Sequence, residues 1–295
     1  MTISNTSVPD SLEDHPILAN AYSAYVSRKQ VLLESGPRVA ACGIYNAGKS
    51  SLLNTLAGQF GEGAEAFKTG AARVTSTVSE LEVAGVTLVD MPGVDGATDD
   101  DETAWQGMLG GDCYLYVHRL MAAEFEQSEL EFLGLLKEQV RGLESRLVLV
   151  ISQIDEVGDP EEAARREAAI RTAFTAAVGF EPRWTFAVSA ARYKKGHVEG
   201  KAGLINISGI PELKNWVSQL PETSANVDWR TFRADRLRTE KDALTAQILA
   251  IADELDLQIQ VRTAARQKRL QSFEAAVAAL VQNVSGSLKR IDSAE

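Results

Sequence analysis

The chain has 295 residues, of which 45% are hydrophobic and 24% charged, and a formal net charge of −11, a composition that supports a sizeable globular core. So acidic a chain lacks the clustered Lys and Arg on which general nucleic-acid binding depends, and no nucleic-acid partner is expected. Its two cysteines, Cys42 and Cys113, lie in apolar runs without metal-type spacing, which argues against a disulfide framework or a zinc site and suits a reducing, cytoplasmic location.

The first residues, MTISNTSVPDSLEDHP, are polar and acidic and do not read as a signal peptide; residues 1–14 are expected to be disordered. No run approaches the ~20 apolar residues of a membrane span, so any membrane contact would be peripheral. Pro16 to Glu34 has helical periodicity, with Ile17, Ala21, Tyr25 and Val31 to Leu33 near one face, and Ser35, Gly36 and Pro37 stop it. Arg38 to Cys42 is a short apolar strand. GIYNAGKS follows at once, and SSLLNTLAG continues as a helix. Residues 59–72 read as a mobile glycine-containing loop. Val74 to Val83 and Val86 to Val89, turning at Gly85, form a hairpin. Strands follow at Tyr114 to Val117, Arg146 to Ser152 and Trp184 to Val188. Helices are expected over Phe125 to Val140, Asp159 to Val178 and Ile210 to Leu220.

This alternation predicts a doubly wound α/β domain over 15–220, including the leading helix 16–34. The character changes beyond Pro221. No Pro or Gly occurs from Glu222 to Ser285, and apolar residues recur at Leu237, Leu244, Ile248, Ile251 and Leu255, then at Leu270, Phe273, Val277, Leu280 and Val284. Residues 221–295 therefore read as a long helix or a helical hairpin with a sticky face. That face can fold back onto the first helix, or bind another copy or a partner. Residues 225–295 carry 11 Lys/Arg and 10 Asp/Glu, leaving the net acidity to the rest of the chain.

Gly43, Gly48, Lys49 and Ser50 fit GxxxxGK[ST] between a strand and a helix, the context of a P-loop. The glycines admit phosphate to backbone N–H groups, and Lys49 places a point charge on the β and γ phosphates. Ser50 offers an oxygen to Mg²⁺, and the helix directs its positive end at the anion. DMPG, Asp90 to Gly93, ends the next strand pair. There Asp90 can hold Mg²⁺ through water, and the Gly93 N–H can face the γ-phosphate. A threonine in ARVTSTVSE is a third element. Thr75, with Thr77 in reserve, can reach Mg²⁺ when the γ-phosphate is present, though both can equally be strand threonines. In ISQID, Asp155 is placed to accept from the guanine N1 and N2 donors that adenine lacks. In AVSA, backbone N–H groups around Ser189, Ala190 and Ala191 can meet the guanine carbonyl.

The series GIYNAGKS, loop Thr, DMPG, SQID and SA resembles the translation-factor-related P-loop GTPases. Within them it looks most like bacterial dynamin-like GTPases, through GIYNAGKSSLLNTLAG, VTLVDMPGVDG and YLYVHRLMAAEFEQSELEFLGLL. The resemblance covers about 16–220; the tail matches only in being helical. It implies GTP and GDP as ligands and Mg²⁺ as cofactor. It implies nucleotide contacts from Tyr45, Asn46, Ala47, Gly48, Lys49, Ser50, Ser51, Gln153, Ser189 and Ala190. Partners would be a second copy or a related GTPase, through the GTPase domain or the tail.

Three departures bear on mechanism. The family usually has Asn or Thr and then Lys before the base-reading Asp, where this chain has Ser152 and Gln153. Val94 follows DMPG and cannot orient water as a glutamine does. A catalytic group must then come from elsewhere. Asn46 occupies the position that holds K⁺ in cation-activated GTPases, and Arg73 is a second candidate. His118 reads as a sheet-edge residue without a role, Trp105 and Trp229 as packing residues, and Asp99 to Glu102 as a solvated loop. The expectation is a Mg²⁺-dependent GTPase using Lys49, Thr75 and Asn46 in catalysis. Its rival is a nucleotide-gated assembly module with little turnover. A ribosome- or RNA-associated GTPase fits the motifs but not the acidity.

Overall fold

In a computed structural model the chain is described over residues 15–59, 65–67, 79–91, 109–122, 124–222 and 227–292. It divides into two compact units, Lys29–Arg236 and Met1–Arg28 with Leu237–Glu295. The expected disorder of 1–14 lies outside the described residues, as do Thr75, Thr77, Arg73, Gly93, Val94, Asp99 to Glu102 and Trp105.

The larger unit is built on one six-stranded sheet. Its strands are β1 (Arg38–Cys42), β2 (Ser79–Val83), β3 (Val86–Asp90), β4 (Cys113–Arg119), β5 (Leu147–Ser152) and β6 (Trp184–Ala187). The spatial order is β2-β3-β1-β4-β5-β6. All pairs are parallel except β2 with β3. β5, LVLVIS, is buried at every position, as a strand covered on both faces requires. The antiparallel edge strand β2 alternates half-buried with exposed residues, matching its single neighbour and half-solvated surroundings. Ala84 and Gly85, at φ 49° and 77°, close the β2–β3 hairpin with the left-handed backbone that a two-residue turn requires.

Helices cover both faces. On one side α2 (Lys49–Leu56) and α7 (Ile210–Ser218) bury Leu52, Leu53, Leu213 and Trp216 against Val39, Ala41, Val148 and Val150. On the other, α3 (Gln127–Gln139) and α4 (Pro160–Val178) bury Leu133, Leu136, Ile170 and Phe174 against Ala40, Cys42, Leu149 and Ile151. Alternate strand residues thus feed opposite layers. α4 starts where Asp159 accepts the Glu161 N–H at 3.0 Å with Pro160 at its first position, and stops at Gly179, φ 81°.

Two short helices absent from the sequence reading, α5 (Ala190–Val198) and α6 (Ala202–Asn206), follow β6. Gly196 lies inside α5 because a Cβ there would come within 2.8 Å of Ile205 Cγ1. That glycine serves close helix packing.

α1 (Pro16–Glu34) and α8 (Trp229–Asp292) each run from one unit into the other. The tail is a single continuous helix of 64 residues, not a hairpin. Within the larger unit Arg233, 3% exposed, bonds Asp112 through Nε and Nη2. It also donates to Leu32 O, Ser35 O and Gly36 O, the carbonyls that end α1. Asp112 accepts the Arg38 N–H as well, at 2.8 Å. One guanidinium thus caps α1 and fixes the entries to β1 and β4.

Candidate nucleotide site

β1 lies between β3, which follows it, and β4, to which the chain later crosses. The crevice beyond its carboxyl end is therefore the topological switch point at which open α/β sheets bind ligands. The loop Gly43 to Gly48 occupies it. Gly43 has φ 137°, and a Cβ on it would come within 2.3 Å of Val117 O, so the backbone leaves β1 pressed against β4. Gly48, at φ 90°, turns the chain into α2 without a side-chain cap. The first N–H groups of α2 then face the crevice as anion donors.

Lys49 is 7% exposed. Its ammonium donates to Gly43 O at 2.9 Å and Ile44 O at 2.8 Å, folding the loop around its own charge. Ser50 Oγ donates to Asp90 Oδ2 at 2.6 Å. Asp90 is 1% exposed, and its other oxygen, Oδ1, is buried without a hydrogen-bond partner among the described residues. Burial pushes this carboxyl above the usual range, with the Ser50 bond and the Lys49 charge pulling it back. A hydroxyl and an orphaned carboxylate oxygen beside a phosphate cradle fit a hard, oxygen-seeking divalent cation. No cluster of three or more His, Cys, Asp or Glu able to hold a metal occurs among the described residues.

Further along, Ser152 Oγ donates to Ala47 O at 2.7 Å, with His118 O at 3.2 Å. The end of β5 is thereby fastened to the phosphate loop. Gln153, at φ 59°, donates from Nε2 to Asn46 O at 3.3 Å. Asn46, at the exposed tip of the loop, has φ 59° too. Asp155 is exposed, and its Oδ1 accepts the Ser189 hydroxyl at 2.5 Å. The Ser189 oxygen also accepts the Arg192 N–H, so a capping residue of α5 aims the carboxylate. The Ser189 N–H itself donates to Ser208 O, which removes it from the base-contacting donors expected there. Those of Ala190 and Ala191, in the first turn of α5, remain.

Beside the loop a cleft of about 350 Å³ runs from Gly48 and Ser51 past Ser152, Gln153 and Asp155 to Ala190 and Ala191. The sequence reading missed its floor. Asn54 clamps Phe67 through both backbone atoms, at 2.7 and 3.0 Å, and lines the cleft with Thr55, Gln59 and Lys194. An Asn in a helix interior, where its propensity is poor, was the available signal.

His118 corrects another expectation. It lies on a central strand and is fully buried. Nδ1 is 3.0 Å from Glu129 Oε1, Nε2 is 3.0 Å from Ala122 O, and the ring stacks on Phe125. Glu129 also accepts from Tyr116 and the Glu126 N–H. Burial alone would raise its carboxyl, but these bonds, His118's first, hold it below the usual range. The network anchors the start of α3. The cysteines are not nucleophiles: burial pushes Cys42 up to about 12 and Cys113 higher still.

A phosphate loop at the switch point, a hydroxyl–carboxylate cation pair and a carboxylate at the base end define a P-loop nucleotide-binding domain. Residues 38–153 match the family model described as 50S ribosome-binding GTPase. By this match residues 38–153 resemble a P-loop GTPase domain. The chain is 28% identical to an uncharacterized protein of Acinetobacter baylyi over 86% of this chain and 58% of that one. The chain thus spans little more than half of that relative's length. Two solved structures share the fold. LeoA, a bacterial dynamin GTPase from ETEC, matches with TM-score 0.53 at 16% identity, covering 82% of this chain and 44% of LeoA. An oligomerised bacterial dynamin pair, described as a mechanism for long-range sensing and tethering of membranes, matches with TM-score 0.51 at 16% identity, covering 95% and 52%. Among the described residues no helix is long and apolar enough to cross a membrane.

Proposed function

We propose that the chain binds GTP in the 350 Å³ cleft, hydrolyses it to GDP and phosphate with Mg²⁺, and changes conformation or self-association with nucleotide state. The observation that carries this reading is the pairing of Ser50 with Asp90 beside the loop folded on Lys49. Lys49 and the first N–H groups of α2 bind and orient the phosphates. Ser50 and Asp90 hold Mg²⁺, which supplies charge neutralisation at the phosphate oxygens. Asp155, aimed by Ser189, accepts from the guanine N–H groups, and Ala190 and Ala191 meet its carbonyl. Thr75, Gly93 and Asn46 complete the site, with K⁺ at Asn46 as the activating cation.

The test is a binding titration with GTP and ATP in Mg²⁺, with and without K⁺, followed by phosphate release. GTP should bind in preference to ATP, and K⁺ should speed turnover. Lys49→Ala should abolish binding or hydrolysis, and normal turnover in that variant would sink the proposal.

A second reading is a nucleotide-gated assembly module with little intrinsic turnover. The exposed apolar residues along α8 favour it. Sizing the protein empty, with GDP and with a GTP analogue decides: one mass in all three states, with brisk hydrolysis, removes the module.

A further inference from the structure

The face of α8 that lies beyond the larger unit is self-complementary. Its apolar positions Leu244, Ile248, Ile251, Leu255 and Ile259 continue through Arg262 and Arg266 to Leu270, Phe273 and Val277. At 3.6 residues per turn these ten positions fall within a stripe about 100° wide. Their successive spacings are four, three, four, four, three, four, four, three and four. That series reads the same in both directions, about a centre between Gln260 and Val261. A seam with this property meets itself in register when a second copy runs antiparallel.

The contents agree with the spacing. In that register Ile251 is level with Leu270, Ile248 with Phe273 and Leu244 with Val277. The cationic positions Arg262 and Arg266 lie opposite Ile259 and Leu255, over which their stems can rest. Asp253, Glu254 and Asp256 come level with the second copy's basic run, Arg262 to Arg269. A parallel pair would instead set Arg262 and Arg266 against themselves.

The burial pattern leaves room for this partner. Phe273 is 69% exposed, Ile259 60% and Leu270 50%. At the other end of the seam Leu244, Ile248 and Ile251 are only half-buried. There α1 runs alongside, with Leu18 buried and Arg28 bonded to Glu240 at 3.0 Å. A third helix would complete the cover.

We infer that two copies of this chain pair antiparallel along α8, each placing Leu270, Phe273 and Val277 on the other's Leu244, Ile248 and Ile251. This deepens the self-association proposed above by naming its surface. A hairpin within one chain would satisfy the same symmetry, but it needs a break near residue 260. The helix is continuous there, and neither Pro nor Gly occurs from Glu222 to Ser285.

The test uses the full chain with Ile251→Cys and Leu270→Cys, singly and together, under mild oxidation; the native thiols are buried. The double variant should give a covalent dimer and neither single variant should. Cross-linking by the single variants would mean parallel pairing, and a disulfide within one chain would mean a hairpin; either overturns the inference. A dimer by sedimentation that forms no disulfide overturns it too, while leaving self-association through another surface standing. A monomer in every nucleotide state removes both. Because Phe273 is exposed, Phe273→Asp should leave helicity and GTP binding unchanged and weaken the dimer at least tenfold. An undiminished dimer in that variant defeats the inference.

Discussion

Asp90 illustrates how a site residue can lower stability where it serves function. Its buried Oδ1 has no partner among the described residues, and burial raises its carboxyl above the usual range. A group held higher in the folded than in the unfolded chain opposes folding when ionised. The penalty is full above the folded value and fades as pH falls through it. Asp90→Asn should therefore stabilise the metal-free protein at neutral pH, by on the order of 1 kcal/mol. The gain should vanish under acidic conditions. The same variant should weaken Mg²⁺-dependent GTP binding at least tenfold, and thermal melts with a chelator beside a nucleotide titration check both halves. Asp155 makes a separate point. Asp155→Asn exchanges an acceptor for a donor, so GTP affinity should fall roughly 10- to 100-fold. Xanthosine triphosphate should gain, and competition binding between the two nucleotides reads the shift.

At the scale of elements, the joints matter more than the strands. Arg233, on the first turns of α8, satisfies the last carbonyls of α1 and neutralises buried Asp112. Arg233→Ala leaves a carboxylate buried without its main partner. It should cost about 3 kcal/mol or more, lowering the melting temperature by roughly 10 °C. Arg233→Lys should not restore it, since an ammonium lacks the fork that reaches both Asp112 and the carbonyls. Asp112 precedes β4, whereas the phosphate loop follows β1, its parallel neighbour, at the opposite end of the strands. GTP affinity measured below the melting transition should therefore be unchanged.

For the whole molecule, what was legible in the sequence is what is written locally. GxxxxGKS, DMPG and the apolar β5 carry their chemistry within a few neighbours, and the structure brings Ser50 to Asp90 and the end of β5 to the phosphate loop. Ser152 could be read only as a departure from a motif. That its hydroxyl ties β5 to Ala47, 105 residues away, depends on which strands become neighbours. His118 was misread for the same reason, because its partner Glu129 sits on a helix that folds over β4. The helices α5 and α6 went unread because α5 carries Gly196 for close packing on Ile205 and α6 is only five residues long. The tail was legible as a helix but not as a continuous one, since periodicity does not distinguish a straight rod from a folded one.

The Lys49 ammonium has a kinetic consequence. With Gly43 O and Ile44 O on its protons, the ammonium itself holds the loop in shape. An arriving nucleotide meets a cradle already shaped and has only to share a cation, so capture should run without a slow ordering step. On departure, the two carbonyls compete for the same protons and help to loosen the phosphates.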